Sequence, residues 1–486
     1  MISNVIPYDY ARVNRVIGFT EDSMHYAYAE SKLPELIYRE LLFHFQDQFS
    51  LQILSDADFN MKLTSVYSFN HSNTMIEDSD IDEDYDLQSA ISAISPSQDL
   101  LNGANEAPIA RLINAVISEA IKKRASDIHF EPYQDQLRVR FRIDGHLIKI
   151  FTQDIRLANS IISRIKIISG LDIAERRKPQ DGRISLTLGA KKIDVRVSSL
   201  PSAYGERLVL RILDKASAQI SLDEIGFSSI VLEEYKKLLE MREGIVLVTG
   251  PTGSGKTTTL YAGLQYIKSK EQNILTVEDP IEYTIDGIGQ TQVNNKTGYT
   301  FATGLRAILR QDPDIVMVGE IRDEETASIA IQASLTGHLV LSTVHTNSAV
   351  GAITRLKDIG AESYLLASSV RGILSQRLLR KLCNICKEQV ELTVTSALFN
   401  SMSNDIKIYK PVGCSSCNHT GYYGRVPATE LFLIDGKAKS LIHENATEVN
   451  MQNELKRKDF LLATSALSLL KGGVTSEQEV LALLSS

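Results

Sequence analysis

The run Gly250-Pro251-Thr252-Gly253-Ser254-Gly255-Lys256-Thr257 satisfies the pattern G-x-x-x-x-G-K-[ST], and it lies between an apolar run, Ile245 to Val248, and a helical run opening Thr257-Thr258-Thr259-Leu260. Strand, loop and helix in that order suit a phosphate. The glycines let backbone N–H groups curl around phosphate oxygens, the helix N-terminus adds positive dipole, Lys256 can reach β and γ oxygens, and the Thr257 hydroxyl can ligate magnesium. Gly250, Pro251, Thr252, Gly253, Ser254, Gly255, Lys256, Thr257 and Thr258 are therefore the candidate nucleotide-binding residues, with ATP and Mg2+ as the expected ligands.

Acids stand at the ends of two further apolar runs. Asp312-Pro313-Asp314-Ile315-Val316-Met317-Val318-Gly319-Glu320 ends on a carboxylate, which assigns Glu320 to the hydration shell of the magnesium ion. Thr276-Val277-Glu278-Asp279-Pro280-Ile281-Glu282-Tyr283 puts three carboxylates at the end of another run, any one of which could be aimed at an attacking water. A third polar strand end, Ser342-Thr343-Val344-His345-Thr346-Asn347, would bring His345 near a γ-phosphate, although by itself a histidine there is more often structural than catalytic.

The four cysteines, Cys383, Cys386, Cys414 and Cys417, form two C-x-x-C pairs separated by 27 residues. In a reducing compartment that spacing reads as two knuckles closing one tetrahedral zinc site, rather than as a redox dithiol.

Elements able to position these residues follow from the hydrophobic periodicity. From Gly244 onward, short purely apolar strands alternate with longer helical stretches, the mark of a parallel sheet covered on both faces. Upstream, Ile109, Leu112, Ile113, Val116, Ile117 and Ala120 form one helical stripe. Leu137 to Ile143 alternates apolar residues with Arg138, Arg140 and Arg142 before an Asp144-Gly145 turn, and strands follow at Ile184 to Leu188 and Ile193 to Val197.

The fold class is thus α/β and multidomain: a RecA-like P-loop core, preceded by a mixed α+β domain, with a zinc-binding insert and a helical C-terminal region. The expected divisions are a small helical partner-binding domain at 1–75, an acidic linker at 76–104, the α+β domain at 105–213, a linker at 214–240, the ATPase domain at 241–375, the zinc element at 376–432 and the helical region at 433–486. The linker reading rests on the acidic run Glu77 to Asp86, which leaves little apolar surface to bury.

Bulk properties narrow the class. There is no apolar run of the length a membrane span needs and no signal-peptide pattern at the start, so the chain is expected in the cytoplasm. A net charge of −8 argues against a broad nucleic-acid surface.

With these motifs in place, residues from about 105 to 432 resemble the traffic ATPases that drive type II secretion, type IV pilus assembly and DNA uptake. The matching elements are the P-loop, an aspartate box from Thr276 to Tyr283, a Walker B region from Leu309 to Asp323 and a histidine box from Gly337 to Asn347, together with Ser126 to Glu131 and Pro179 to Arg183 in the preceding domain. The resemblance implies a homohexamer, Glu282 as general base and His345 as the residue coupling the γ-phosphate to its neighbours. It also implies that Arg196 and Arg211 reach the nucleotide from the preceding domain, with Arg306 and Arg310 as further essential arginines. Arg138 and Arg142 read instead as solubilising charge. The start Ile6 to Arg12 and the short N-terminal region point to the type II secretion branch. That branch would be held at the inner membrane by a platform protein and by the cytoplasmic domain of a partner bound to the N-terminal domain. The alternatives are a pilus-assembly ATPase and, further off, a RecA-like nucleic-acid translocase carrying a zinc ribbon, for which a basic and aromatic groove is missing.

Overall fold

In the computed structural model the chain divides into two compact units, Met1–Ala216 and Ser217–Ser486. Most residues are described; the stretches 67–86, 93–105, 215–219, 391–406 and 455–459, with short runs elsewhere chiefly among the first 65 residues, are not. The acidic run at 77–86 lies outside the described residues.

The first unit holds two sheets. Strands β1 (Ile2–Ser3), β2 (Val16–Glu21), β3 (Met24–Ala29) and β4 (Ser50–Ile53) pair in that order. This corrects the expectation of a helical N-terminal domain. One of its apolar stretches does form a helix, Glu35–His44, but the run Val16-Ile17-Gly18-Phe19 supplies β-branched and aromatic residues to a strand whose side chains are buried.

The second sheet runs β7-β6-β5-β10-β9-β8, from β5 (Ala125–Pro132), β6 (Gln136–Ile143), β7 (His146–Asp154), β8 (Gln180–Leu188), β9 (Lys191–Ser202) and β10 (Gly205–Asp214). The predicted helical stripe is realised in the helix Glu106–Lys122. Its Leu112, Ile113, Val116 and Ile117 pack with Ile128, Phe130, Val139, Phe141, Leu208 and Leu210 from the strands. Each such fully buried aliphatic side chain contributes about 1.5–3 kcal/mol. Strand alternation then sends the intervening residues, Asp127, His129 and Glu131 on β5 with Arg138, Arg140 and Arg142 on β6, to the opposite face.

The second unit is built on a seven-stranded sheet ordered β13-β12-β14-β15-β11-β16-β19, from β11 (Gly244–Thr249), β12 (Ile274–Glu278), β13 (Gly289–Gln292), β14 (Ile315–Val318), β15 (Leu339–Val344), β16 (Val370–Leu382) and β19 (Tyr422–Leu433). All pairings are parallel except β16 with β19. The unbroken apolar character of β11 has a simple cause: Ile245 and Leu247 enter one core while Val246 and Val248 enter the core on the other face.

Two expected boundaries shift. Strands β16 and β19 carry the ATPase sheet across 375 and back again through 432, so the cysteine element is an insertion at the end of an antiparallel pair and holds its own small sheet of β17 (Glu388–Val390) and β18 (Ile408–Lys410). The segment 214–240 is more than a linker, because it contains the helix Ser229–Leu239, whose Val231, Tyr235, Leu238 and Leu239 are buried. The helical C-terminal region is present as Gly436–His443, Glu448–Glu454, Leu462–Lys471 and Glu477–Leu484.

Candidate active site

Sheet order explains how residues distant in sequence converge. Strands β12, β14, β15 and β11 are neighbours and parallel, so the segments leaving their C-terminal ends emerge along one edge. Those segments carry Glu282, Glu320, His345 and the P-loop respectively.

The P-loop leaves β11 and enters the helix Lys256–Ile267. Gly250 has φ 142°, and a Cβ there would lie 2.4 Å from the Gln376 carbonyl and 2.6 Å from Ser254 Oγ, so only glycine fits. Gly255 takes a left-handed conformation at the helix cap, with no side chain capping the first-turn N–H groups. This is a cradle of the shape and polarity a phosphate requires. Gln376, on β16, supports it from beneath: its amide donates to the Ser254 carbonyl at 2.6 Å and its oxygen accepts from Thr259 Oγ1 at 2.9 Å. Thr257 and Thr258 are exposed on the first turn.

Lys256 is 9% exposed, and its Nζ donates to the carbonyls of Gly250 at 2.9 Å and Pro251 at 3.1 Å. It lies 3.5 Å from His345 Nδ1, while His345 Nε2 lies 3.2 Å from Glu320 Oε1. Glu320 also accepts from Arg322 Nε at 2.7 Å. The structure thus brings together Lys256, His345 and Glu320. Burial lowers the Lys256 pKa, against the opposing pull of Glu320. Burial and then the Lys256 charge lower that of His345, again with Glu320 opposing. Glu282 is tied to the same helix, since its N–H donates to the Tyr261 hydroxyl at 3.3 Å.

The four arginines are carried by other elements. Arg306 is exposed near the end of the helix Phe301–Ile308 and donates to Glu325 at 2.6 Å; Arg310 is exposed just beyond it. Arg196 and Arg211 belong to the first unit and lie directly opposite each other on β9 and β10. Arg211 donates through Nε to Asp127 at 3.0 Å. Arg142, read as solubilising charge, also approaches Asp127, at 3.6 Å, and donates to the Gly145 carbonyl, while Arg138 lies over the Tyr133 ring.

At the end of the β16–β19 pair the four Sγ atoms lie within 4.8 Å of one another. Cys383–Cys414 are 3.9 Å apart, and Cys386–Cys417 and Cys414–Cys417 are each 3.8 Å apart. Sulfurs at the corners of a zinc tetrahedron with arms of about 2.3 Å are about 3.8 Å apart, so the cluster is compatible with that ion. Backbone N–H groups of Gly413, Cys414 and Gly421 donate to Cys386 and Cys417. Burial raises the Cys417 thiol, but the N–H donors outweigh it and leave it at about 7. Burial pushes Cys386 up to about 11.

Sequence reasoning missed the supporting residues Tyr261, Gln290 and Gln376, which belong to no chemical motif. Only Tyr261, between Leu260 and Ala262, offers a signal, a polar group set among apolar neighbours.

A family model described as "Type II/IV secretion system protein" matches residues 102–482. The chain belongs to this family. It is therefore a secretion ATPase, an ATP hydrolase that uses nucleotide and Mg2+. The Type II secretion system ATPase E of Vibrio cholerae is 50% identical over 437 residues, covering 89% of this chain and 87% of that protein. The Type II secretion system protein E of Dickeya dadantii is 46% identical over 478 residues, 98% of this chain and 96% of its own. Among solved structures, the pilus retraction motor PilT with bound ADP aligns at a TM-score of 0.51 and 27% identity, over 76% of this secretion ATPase and 95% of PilT. Among the described residues, no helix is long and apolar enough to cross a membrane.

Proposed function

We propose that this ATPase works as a cytoplasmic homohexamer at the inner membrane, coupling ATP hydrolysis to assembly of a pseudopilus for type II secretion. The observation that carries the secretion branch is identity near 50% along almost the whole chain to proteins named for that system.

In the proposed mechanism Lys256 and the first-turn N–H groups hold the phosphates, Thr257 and Glu320 would hold magnesium, and Glu282 takes the proton of the attacking water. Magnesium would supply positive charge that offsets the negative charge of the phosphates. His345, within reach of both Lys256 and Glu320, reports the state of the γ-phosphate to the histidine box. Arg306 and Arg310 are further essential arginines, contributed by the catalytic domain itself.

Arg196 and Arg211 supply positive charge from a neighbouring subunit. Their position supports this reading: Arg142, Asp127, Arg211, Arg196 and Arg183 lie side by side across β6, β5, β10, β9 and β8. The row concentrates arginine on one face of the sheet, which suits an anionic ligand.

The N-terminal domain docks a cytoplasmic partner domain. In support, Leu36, Phe43, Leu51 and Ile53 are exposed on its helix and on strand β4. In cells lacking the chromosomal copy, the intact chain is expected to restore export, and its N-terminal domain to pull down an inner-membrane secretion component. Restoration of pili instead, with recovery of a pilus platform protein, would move the chain to the pilus-assembly branch.

The cysteines hold one structural zinc per chain, with four thiolates filling the tetrahedral shell. Metal analysis is expected to give one zinc per chain, lost in a Cys414→Ser/Cys417→Ser double variant whose melting temperature falls. Zinc-free wild-type protein, or full occupancy in the double variant, would refute the site.

A further inference from the structure

The segment from Asp279 to Ile285, which carries Glu282, has no regular secondary structure of its own. Gln292 accepts the Ile281 N–H at 3.4 Å, and two further side chains hold the part that carries Glu282. The Tyr261 hydroxyl accepts the Glu282 N–H at 3.3 Å, and the Tyr261 and Tyr283 rings meet edge to face with centroids 4.6 Å apart. Gln290 donates to the Tyr283 carbonyl at 3.1 Å and accepts the Ile285 N–H at 2.6 Å.

Both holders end on one carboxylate. Glu278, at the close of β12, is 3% exposed. One of its oxygens accepts from the Tyr261 hydroxyl, and the other accepts from Gln290 Nε2 at 3.0 Å and Thr276 Oγ1 at 2.5 Å. All three donors are neutral. Burying a carboxylate among neutral donors is costly, whereas an apolar residue would fill the same core position at no such cost. Packing alone does not account for Glu278.

We infer that Glu278, Tyr261 and Gln290 are positioning residues for the hydrolytic step, orienting the backbone on which Glu282 rides. The inference rests on the proposed role of Glu282 as base. Its physical content is rigidity. Tyr261 lies in the helix that opens at Lys256, so one element sets both the phosphate cradle and the height of the base above it. Burial and then the Glu278 charge raise the Tyr261 pKa, which keeps the hydroxyl protonated as a donor to the carboxylate. Its oxygen remains the acceptor for Glu282. A displacement of about 1 Å in such a group costs on the order of 10²-fold in rate, with little effect on how substrate binds.

The test is a cycle of full-length variants in the assembled enzyme: Tyr261→Phe, Glu282→Gln and the double variant. Tyr261→Phe keeps the ring and deletes only the hydroxyl. It is expected to lower kcat by about tenfold or more, with KM for ATP and affinity for a non-hydrolysable ATP analogue within about twofold of wild type. In the Glu282→Gln background the same change should have no further effect, because the hydroxyl acts only through Glu282. Wild-type kcat in Tyr261→Phe, or an equal loss with and without Glu282, overturns the positioning role while leaving the base in place. Wild-type turnover in Glu282→Gln alone refutes the base itself. Should Tyr261→Phe fold poorly, Gln290→Ala on the edge strand β13 carries the same expectation, a fall in kcat at constant KM, and a fall in affinity without a fall in kcat overturns it.

Discussion

Lys256→Ala is expected to lower ATP turnover by on the order of 10³-fold or more while the protein stays folded. The lysine delivers a positive charge to the phosphate end of the site, but the loop does not depend on it for shape. Loop geometry is held by Gly250 packed on the Gln376 carbonyl, by Gln376 bridging Ser254 and Thr259, and by the buried strand β11. The variant loses two hydrogen bonds from the charged Nζ to loop carbonyls, worth about 1.5–3 kcal/mol each. Steady-state hydrolysis and thermal melting, measured on the same preparation, separate the two effects. Turnover at the wild-type level would remove the P-loop assignment, and a collapsed melting transition would make Lys256 a structural residue.

Mixing Lys256→Ala chains with Arg211→Ala chains is expected to recover activity that neither has alone. Arg211 belongs to a different unit from the P-loop, and in the proposed ring it serves the site of a neighbouring subunit. Its removal leaves Asp127 with Arg142 at 3.6 Å and the Ser126 hydroxyl at 2.8 Å, so the sheet should tolerate the change. In rings of randomly mixed chains, about a quarter of interfaces pair an intact P-loop with an intact arginine, which sets the ceiling for recovery. Hydrolysis by wild type should also rise steeply with protein concentration. No recovery in rings shown to be mixed would mean that Arg211 acts within its own chain or not at all. A site shared in this way also supplies a route from chemistry to motion, since loss of the γ-phosphate weakens the arginine contact and frees the domain that carries it.

Parts of the molecule whose chemistry is written in consecutive residues were open to reading before any coordinates. The P-loop is one, because wrapping a phosphate takes backbone N–H groups close together along the chain. The cysteine pairs are another: each knuckle is local, and the four sulfurs meet as their spacing implied. The helix at Glu106–Lys122 and the strands β6, β8 and β9 followed from period alone, since one buried face dictates the spacing. The N-terminal sheet did not, because its strands are short and the amphipathic stretch beside them dominates the pattern.

What only the tertiary structure decided is pairing between distant residues. Sequence placed Glu278, Glu282, Glu320 and His345 at strand ends and assigned Glu320 to magnesium, but among the carboxylates of 276–283 only the family resemblance singled out Glu282. The sheet separates their roles: Glu278 is turned into the core against Tyr261, 17 residues away, while Glu320 meets His345 beside Lys256. The arginine row likewise joins five strands, and its members reveal nothing of it singly. Motifs are legible because their geometry is imposed by covalent neighbours, which any window of sequence contains. Sheet register and burial are set by free energy summed over the whole core, so which polar side chain is enclosed and which is left at the open edge appears only when the strands are packed.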